Sequence, residues 1–215
     1  MKRKFLIIFG VSLGNFWVYQ LFANNILMGL LLTSESILLF LTALPERSKK
    51  IQVAVFIILT GLSLYLLAIS FNKEIFYISD YEKIVQKNRG EYFGAELGKI
   101  YGNKAGIFYF DKFRPVVSKI SGNFASNLDF EKYFLSKNPE EGRYPVFLLP
   151  LFILGLVRLI IVYQKTSVIY FLLALIVSSL VSISGKMGPM LLFPFFNLCI
   201  ALGALNIWRK WQKDI

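Results

Sequence analysis

Residues 5–44 read FLIIFGVSLGNFWVYQLFANNILMGLLLTSESILLFLTAL, and the way this run divides decides the fold. One membrane crossing takes roughly 20 mainly apolar residues, so the stretch is about twice as long as a single span needs. Asn24-Asn25 lies near its middle and suits a tight turn among lipid headgroups, which makes the run a hairpin with arms at 5–23 and 27–44. The rival reading is one long tilted helix ending near Thr33, with Ile37 to Leu44 as an interfacial piece. Met1 to Lys4 ahead of the run has the charge of a signal-peptide start. The bulky and amide residues from Gln20 to Asn25 make a poor cleavage site, so the first helix is read as retained.

The rest of the chain repeats this pattern. Apolar runs cover 51–71, 144–163, 168–184 and 189–208, the last closed by Trp208 and Trp211 beside Arg209, Lys210 and Lys213, an interfacial anchor. Of all residues 56% are hydrophobic and 17% charged, against about a quarter charged in soluble domains. The net charge of +11 would suit nucleic acid, but the charges punctuate apolar runs and line no common surface, so a nucleic-acid partner is excluded. With six spans, one side receives Lys2, Arg3, Lys4, Arg47, Lys49, Lys50, Lys165, Arg209, Lys210 and Lys213. The short connections opposite hold Asn24-Asn25 and Lys186. The positive-inside rule places the first set in the cytoplasm, whereas five spans would split it. The expected fold is an all-α integral protein of the cytoplasmic membrane with six transmembrane helices and both termini inside. Residues 1–71 form a first three-helix segment, 72–143 an external and partly helical cap, 144–208 a second three-helix segment, and 209–215 a basic cytoplasmic tail.

The cap is nearly charge-balanced and patterned. ISDYEKIVQKNRGEYFGAELGKIYGN has helical periodicity, yet glycines recur at 90, 94, 98, 102 and 106. Each costs up to about 1 kcal/mol in a helix, so two short helices with glycine at their ends are expected, with a close-packed glycine face as the alternative. Phe108, Phe110, Phe113, Val116, Val117 and Ile120 are candidates for a partner or membrane surface, or for the core of the cap itself.

Among chemistry-bearing residues, Glu35 stands out, because an ionisable group inside a span is costly unless paired or hydrated. Asn15, Gln20 and Asn24 are candidates for a polar seam with it, and local bonding of Glu35 is the preferred reading over a functional one. Lys99, Lys104, Arg114, Arg143 and Lys186 are candidate contacts for lipid phosphate. The outer carboxylates, from Asp80 to Glu141, show no pair with a spacing that defines acid–base work. Cys199 is the one cysteine and histidine is absent, which excludes an internal disulfide, a cysteine metal cluster and a histidine base. SGKMGP at 184–189 lacks the spacing of a nucleotide loop. No catalytic, cofactor-binding or metal-binding residue is assigned, and no cofactor is expected.

AELGKIYGNKAGIFYFDKFRPVVSKISGNFASNLDFEKYFL, followed by NPEEGRYPVFLLPLFILGLVRLI and later by SGKMGPMLLFPFFNLCIALG, resembles the external loop and following helices of bacterial glycosyltransferase-39-like proteins. These are relatives of protein O-mannosyltransferases and lipid A aminoarabinose transferases. The resemblance covers roughly Gln52 to Trp208, the back half of a larger enzyme. It implies a many-spanned bundle that takes sugar from a polyprenyl-phosphate donor on the outer face, with a catalytic acid in the first external loop. Here that loop is Ala23-Asn24-Asn25, without a carboxylate. Arg143 matches the family's basic region, Tyr144 stands where a histidine is usual, and the late loop keeps Gly185, Lys186 and Pro189. The expectation is a non-catalytic membrane subunit or scaffold that docks to other membrane chains and to membrane lipids, polyprenyl phosphate among them. Two alternatives remain open: a lipid-linked glycosyltransferase component that is catalytic only with a partner, and a small transporter or lipid-handling protein.

Overall fold

Apolar runs satisfy their peptide groups most directly within one segment, as helix. A computed structural model describes residues 2–44, 49–69, 76–101, 104–135, 142–162, 164–181 and 189–211, which are helical and contain no strand. In chain order the helices are α1 (Lys2–Leu13), α2 (Phe16–Asn24), α3 (Ile26–Ala43), α4 (Lys49–Ile69), α5 (Asp80–Tyr101), α6 (Lys104–Phe108), α7 (Arg114–Asn127), α8 (Glu131–Phe134), α9 (Leu149–Val162), α10 (Lys165–Leu180) and α11 (Phe193–Trp211). A π-helical turn, Tyr109–Phe113, joins α6 to α7, and single 3-10 turns, Val146–Leu148 and Met190–Leu192, lead into α9 and α11.

The 5–44 run divides at Asn25, which excludes the single long helix. The Asn25 side chain accepts from the Met28 N–H at 3.1 Å and so starts α3. The first arm is not one rod, however. It bends by 62° between α1 and α2, and Asn15 causes the break. Its backbone is extended, its Oδ1 accepts from the Val18 N–H at 2.9 Å, and its Nδ2 donates to the carbonyl of Val11 at 2.7 Å. One side chain thus closes the end of α1 and opens α2.

Three helical stretches, Ile26–Ala43, Lys50–Ile69 and Met190–Trp208, are long and apolar enough to cross a membrane, and the bent α1–α2 pair passes the same test taken together. Val146–Val162 and Lys165–Leu180 are apolar but shorter. At 1.5 Å per residue each extends about 25 Å, a little under the ~30 Å hydrocarbon core. The fifth expected span begins three residues earlier than its apolar run, at Lys165, and its helix ends at Leu180. Residues 70–71 and 182–188, and Lys186 with them, lie outside the described residues.

α11 occupies the centre. Leu191 to Leu202 is buried on every side, as expected of a helix that is apolar all round. α9 lies against it most closely, and two glycines make that possible. A Cβ on Gly155 would overlap the Cys199 carbonyl, and one on Gly203 would overlap the Leu151 carbonyl. Phe152 stacks on Phe196 with centroids 4.8 Å apart, and further along Arg158 Nη1 donates to Asn206 Oδ1 at 3.2 Å. Both residue numbers rise together, so the two helices run in the same direction. α1 and α3 flank the remaining faces of α11. α4 packs on α3 through the stripe Phe56, Thr60, Ser63 and Leu67, leaving the rest of its apolar surface exposed.

Outside this bundle, α5 runs unbroken through Gly90, Gly94 and Gly98, where two short helices are expected from the sequence. Its start is fixed by a reciprocal cap. The Glu82 N–H donates to Ser79 Oγ at 3.2 Å, and Glu82 Oε2 accepts from the Ser79 N–H at 2.8 Å. Pairs Lys83–Asp80 and Lys87–Glu91 line its surface. Space around Gly98 is open, so no close approach explains that glycine. α7 joins the bundle where Asn123 Nδ2 donates to the Ser179 carbonyl and Asn127 Nδ2 to Ser179 Oγ, at 3.2 and 3.3 Å.

Gly155→Ala is expected to lower the melting temperature of the detergent-solubilised protein by the equivalent of about 1–3 kcal/mol through overpacking, whereas Gly98→Ala is expected to be neutral or to stabilise by up to about 1 kcal/mol. The Ser79 N–H, with Lys119 adding to it, holds the Glu82 carboxyl below its ordinary 4.5. A carboxyl with a depressed pKa in the folded state contributes its stability in full above 4.5, and that contribution is lost as pH falls below this value. Glu82→Gln is expected to shrink the difference in melting temperature between about pH 7 and about pH 3.5.

Candidate functional site

Buried polar groups need partners, and in the bundle they find them on one another. Glu35, in the middle of α3, is fully buried. The Ser63 hydroxyl of α4 donates to its Oε1, and the Tyr170 hydroxyl of α10 lies 3.1 Å from its Oε2. That same hydroxyl lies 2.8 Å from the Leu191 carbonyl at the entry to α11. Tyr170 therefore has one hydrogen for two acceptors. Next to Glu35, the Ser36 hydroxyl accepts from Asn197 Nδ2 of α11 at 3.1 Å and donates to the Leu32 carbonyl at 2.8 Å. Asn197 Oδ1 in turn accepts from the Tyr144 hydroxyl at 3.0 Å. Ser63, Glu35, Tyr170, Ser36, Asn197 and Tyr144 thus make a seam linking α3, α4, α10, α11 and the segment that enters α9.

Consecutive helical residues point about 100° apart, which is why Glu35 meets α4 and α10 while Ser36 meets α11. Interhelical bonds of this kind contribute roughly 0.6–2 kcal/mol each. Phe56 closes the seam from one side, its ring 5.2 Å from that of Tyr170. Among the described residues no His, Cys, Asp and Glu group with metal-binding geometry occurs.

The structure places the other sequence candidates apart from this seam. Asn15 is the double cap between α1 and α2. Gln20 is half-buried, and its carbonyl accepts from Asn24 Nδ2 at 2.7 Å. Neither side chain is among the partners of Glu35. Arg143 lies over two rings, its guanidinium carbon 4.6 Å from the Trp17 centroid and 5.0 Å from that of Tyr133. Its carbonyl accepts from the Trp17 N–H at 3.1 Å, and the N–H groups of Arg143 and Tyr144 both donate to the Tyr133 carbonyl. Trp17 is fully buried and meets Tyr133, Tyr144, Phe193 and Phe196 at 5.5–6.2 Å. A partly buried cation over aromatic faces contributes about 1–2 kcal/mol. Burial among these rings pushes the Tyr133 hydroxyl above its ordinary range. Arg143 thus anchors the segment ahead of α9 to the bundle.

Arg114 begins α7 at the surface, 5.9 Å from the Phe110 centroid. Phe108, Phe113 and Val117 are exposed, while Phe110, Val116 and Ile120 are half-buried, so this group forms no closed core. Lys186 lies outside the described residues, as do the side chains of Lys99 and Glu96.

Sequence reading found Glu35 but not Ser63, Tyr170 or Asn197. Each is a single polar residue in an apolar run, and that isolation is the one signal that marks them. Glu35→Gln is expected to retain the seam, because an amide offers an acceptor to Ser63 and a donor to Tyr170. Glu35→Ala leaves the Ser63 hydroxyl unpaired and is expected to cost about 1–3 kcal/mol, read as thermal stability in detergent. Equal losses for both variants would count against a hydrogen-bonding role. Comparison of the chain with protein-family models, with curated proteins and with solved structures finds no match.

Proposed function

We propose that the chain is a non-catalytic subunit or scaffold of a larger membrane assembly, with six membrane segments, both termini in the cytoplasm and residues 72–143 outside. The observation that carries the subunit reading is the use made of the buried ionisable group and the outer cation. Glu35 joins α3 to α4 and α10, and Arg143 stacks on Trp17 and Tyr133. Both groups are engaged in holding the fold together. The external helices meanwhile present Tyr81, Ile84, Tyr92, Phe108 and Phe113 at the surface, and α4 presents most of an apolar helix.

Contacts between helix ends support the topology. At one end Gln164 Nε2 donates to the Ala43 carbonyl, bringing the end of α3 beside the start of α10. At the other, Trp17, Arg143, Tyr144 and Phe193 converge, and α7 meets the end of α10. Six crossings with a shared side for both termini sort the ends in this way. The resemblance to glycosyltransferase-39-like proteins suggests a partner of that chemistry, working on polyprenyl-phosphate sugars.

In a Cys199→Ala background, single cysteines at Asn24 and Lys132 are expected to react with an impermeant maleimide on intact cells, and one at Lys165 only after permeabilisation. The reverse pattern would invert the topology. Extraction of native membranes into polymer nanodiscs is expected to yield the chain in a fixed ratio with at least one other membrane protein. A lone chain that by itself transfers sugar from a polyprenyl-phosphate donor would overturn the subunit reading.

A further inference from the structure

Two external helices enclose a cleft of about 360 Å³, with Arg89 and Gln86 on α5, Arg114, Ser118 and Lys119 on α7, and Phe110 on the π-helical turn between α6 and α7. We propose that this cleft binds a phosphate-type anion attached to a partly apolar body.

The charge balance gives the sign of the ligand. Lys119 Nζ is matched by Glu82 Oε2 at 3.2 Å and by the Tyr77 carbonyl at 2.5 Å. Glu82 is the one carboxylate lining the cleft, and it is held by Ser79 and Lys119. Arg89 and Arg114 have no carboxylate partner among the described residues, so two guanidinium groups share the cleft without a counter-charge. Guanidinium forks match the oxygens of phosphate and form short, strong, charge-assisted bonds with them. The Ser118 hydroxyl and the second hydrogen of Gln86 Nε2, whose amide already donates to the Asp111 carbonyl at 3.3 Å, add neutral donors.

The shape of the wall gives the rest of the ligand. Tyr81, Val85, Phe110 and Pro115 supply an apolar surface beside the two cations, which suits an ester carrying a hydrocarbon or ring and leaves bare inorganic phosphate partly uncovered. The backbone carries an independent sign of specialisation. The π-helical turn Tyr109–Phe113 holds Phe110 and ends directly before Arg114, and such turns interrupt helices most often at functional sites. The Arg114 guanidinium lies by the Phe110 ring, which limits its freedom before a ligand arrives. A lipid headgroup and a soluble phosphate ester share this chemistry. The inference goes beyond the subunit reading and does not depend on it, because binding is measured on the purified chain.

The test uses the full chain in a neutral detergent, titrated with dioctanoyl phosphatidic acid, with dioctanoyl phosphatidylcholine and with inorganic pyrophosphate, binding being read by tryptophan fluorescence and by thermal shift. Phosphatidic acid is expected to bind and phosphatidylcholine to fail, with Arg89→Gln/Arg114→Gln weakening the former by roughly tenfold or more. Arg89→Lys/Arg114→Lys is expected to retain part of the affinity, since charge survives and the fork does not. Pyrophosphate binding as tightly as phosphatidic acid, with the same arginine dependence, would keep the anion site and assign it to soluble phosphate compounds. Wild-type protein that binds neither anion would overturn the proposal. So would binding that the glutamine pair leaves unchanged while the unliganded melting temperature matches wild type.

Discussion

Glu35 and Ser36 sit side by side in α3, buried, and each bonds polar groups on different helices. The rest of the bundle is arranged around those bonds. Glu35 fixes the rotation of α4 and α10 relative to α3, and Ser36 fixes α11. Apolar packing alone tolerates many helix rotations of similar energy, whereas a hydrogen bond at about 3 Å selects one. The aromatic cluster around Trp17 and Phe196 then fills the space that those rotations leave. Phe196 touches Phe130, Tyr133, Phe134, Tyr144 and Phe152 as well, so α8 and the Arg143 segment, far out in the loop by sequence, belong to the interior of the bundle.

The apolar runs and the break at Asn24-Asn25 were legible because composition and length report them directly. The bend at Asn15 was not, since a single amide in an otherwise apolar run changes neither the mean nor the periodicity. It acts through three local hydrogen bonds. The continuity of α5 was hidden by its glycines, whose cost is met in part by the cap at Ser79 and Glu82. That cap carried a sequence signal, Ser-x-x-Glu ahead of a periodic run. The lengths of α9 and α10 were less legible, because their ends are set by a 3-10 turn before α9 and extended backbone at Gln164 and Val181 around α10.

At the site level, charge was visible and its use was not. Glu35 was conspicuous as an acid in a hydrophobic stretch, but Ser63, Tyr170 and Asn197 are many residues away in sequence and become partners only through helix packing. Arg143 read as a lipid-phosphate contact because it is one of the basic residues of the long segment between the apolar runs. Its neighbours in space are Trp17 and Tyr133. Arg114 read the same way and does lie at the surface, so the sequence could not separate an anchoring cation from an open one.

The same-direction pairing of α9 and α11 bears on how the molecule is made. α11 follows in the chain every helix that surrounds it, so α1, α3 and α9 emerge from the ribosome with their shared centre still missing. Until it arrives, the Gly155 face has nothing to rest against, Ser36 lacks its amide partner, and Trp17 lacks Phe193 and Phe196. The pair α3 and α4 has its own bond between Glu35 and Ser63, whereas the interior around Phe196 is complete only with α11. A nascent chain halted before Pro189 would therefore hold its earlier helices without the core they share.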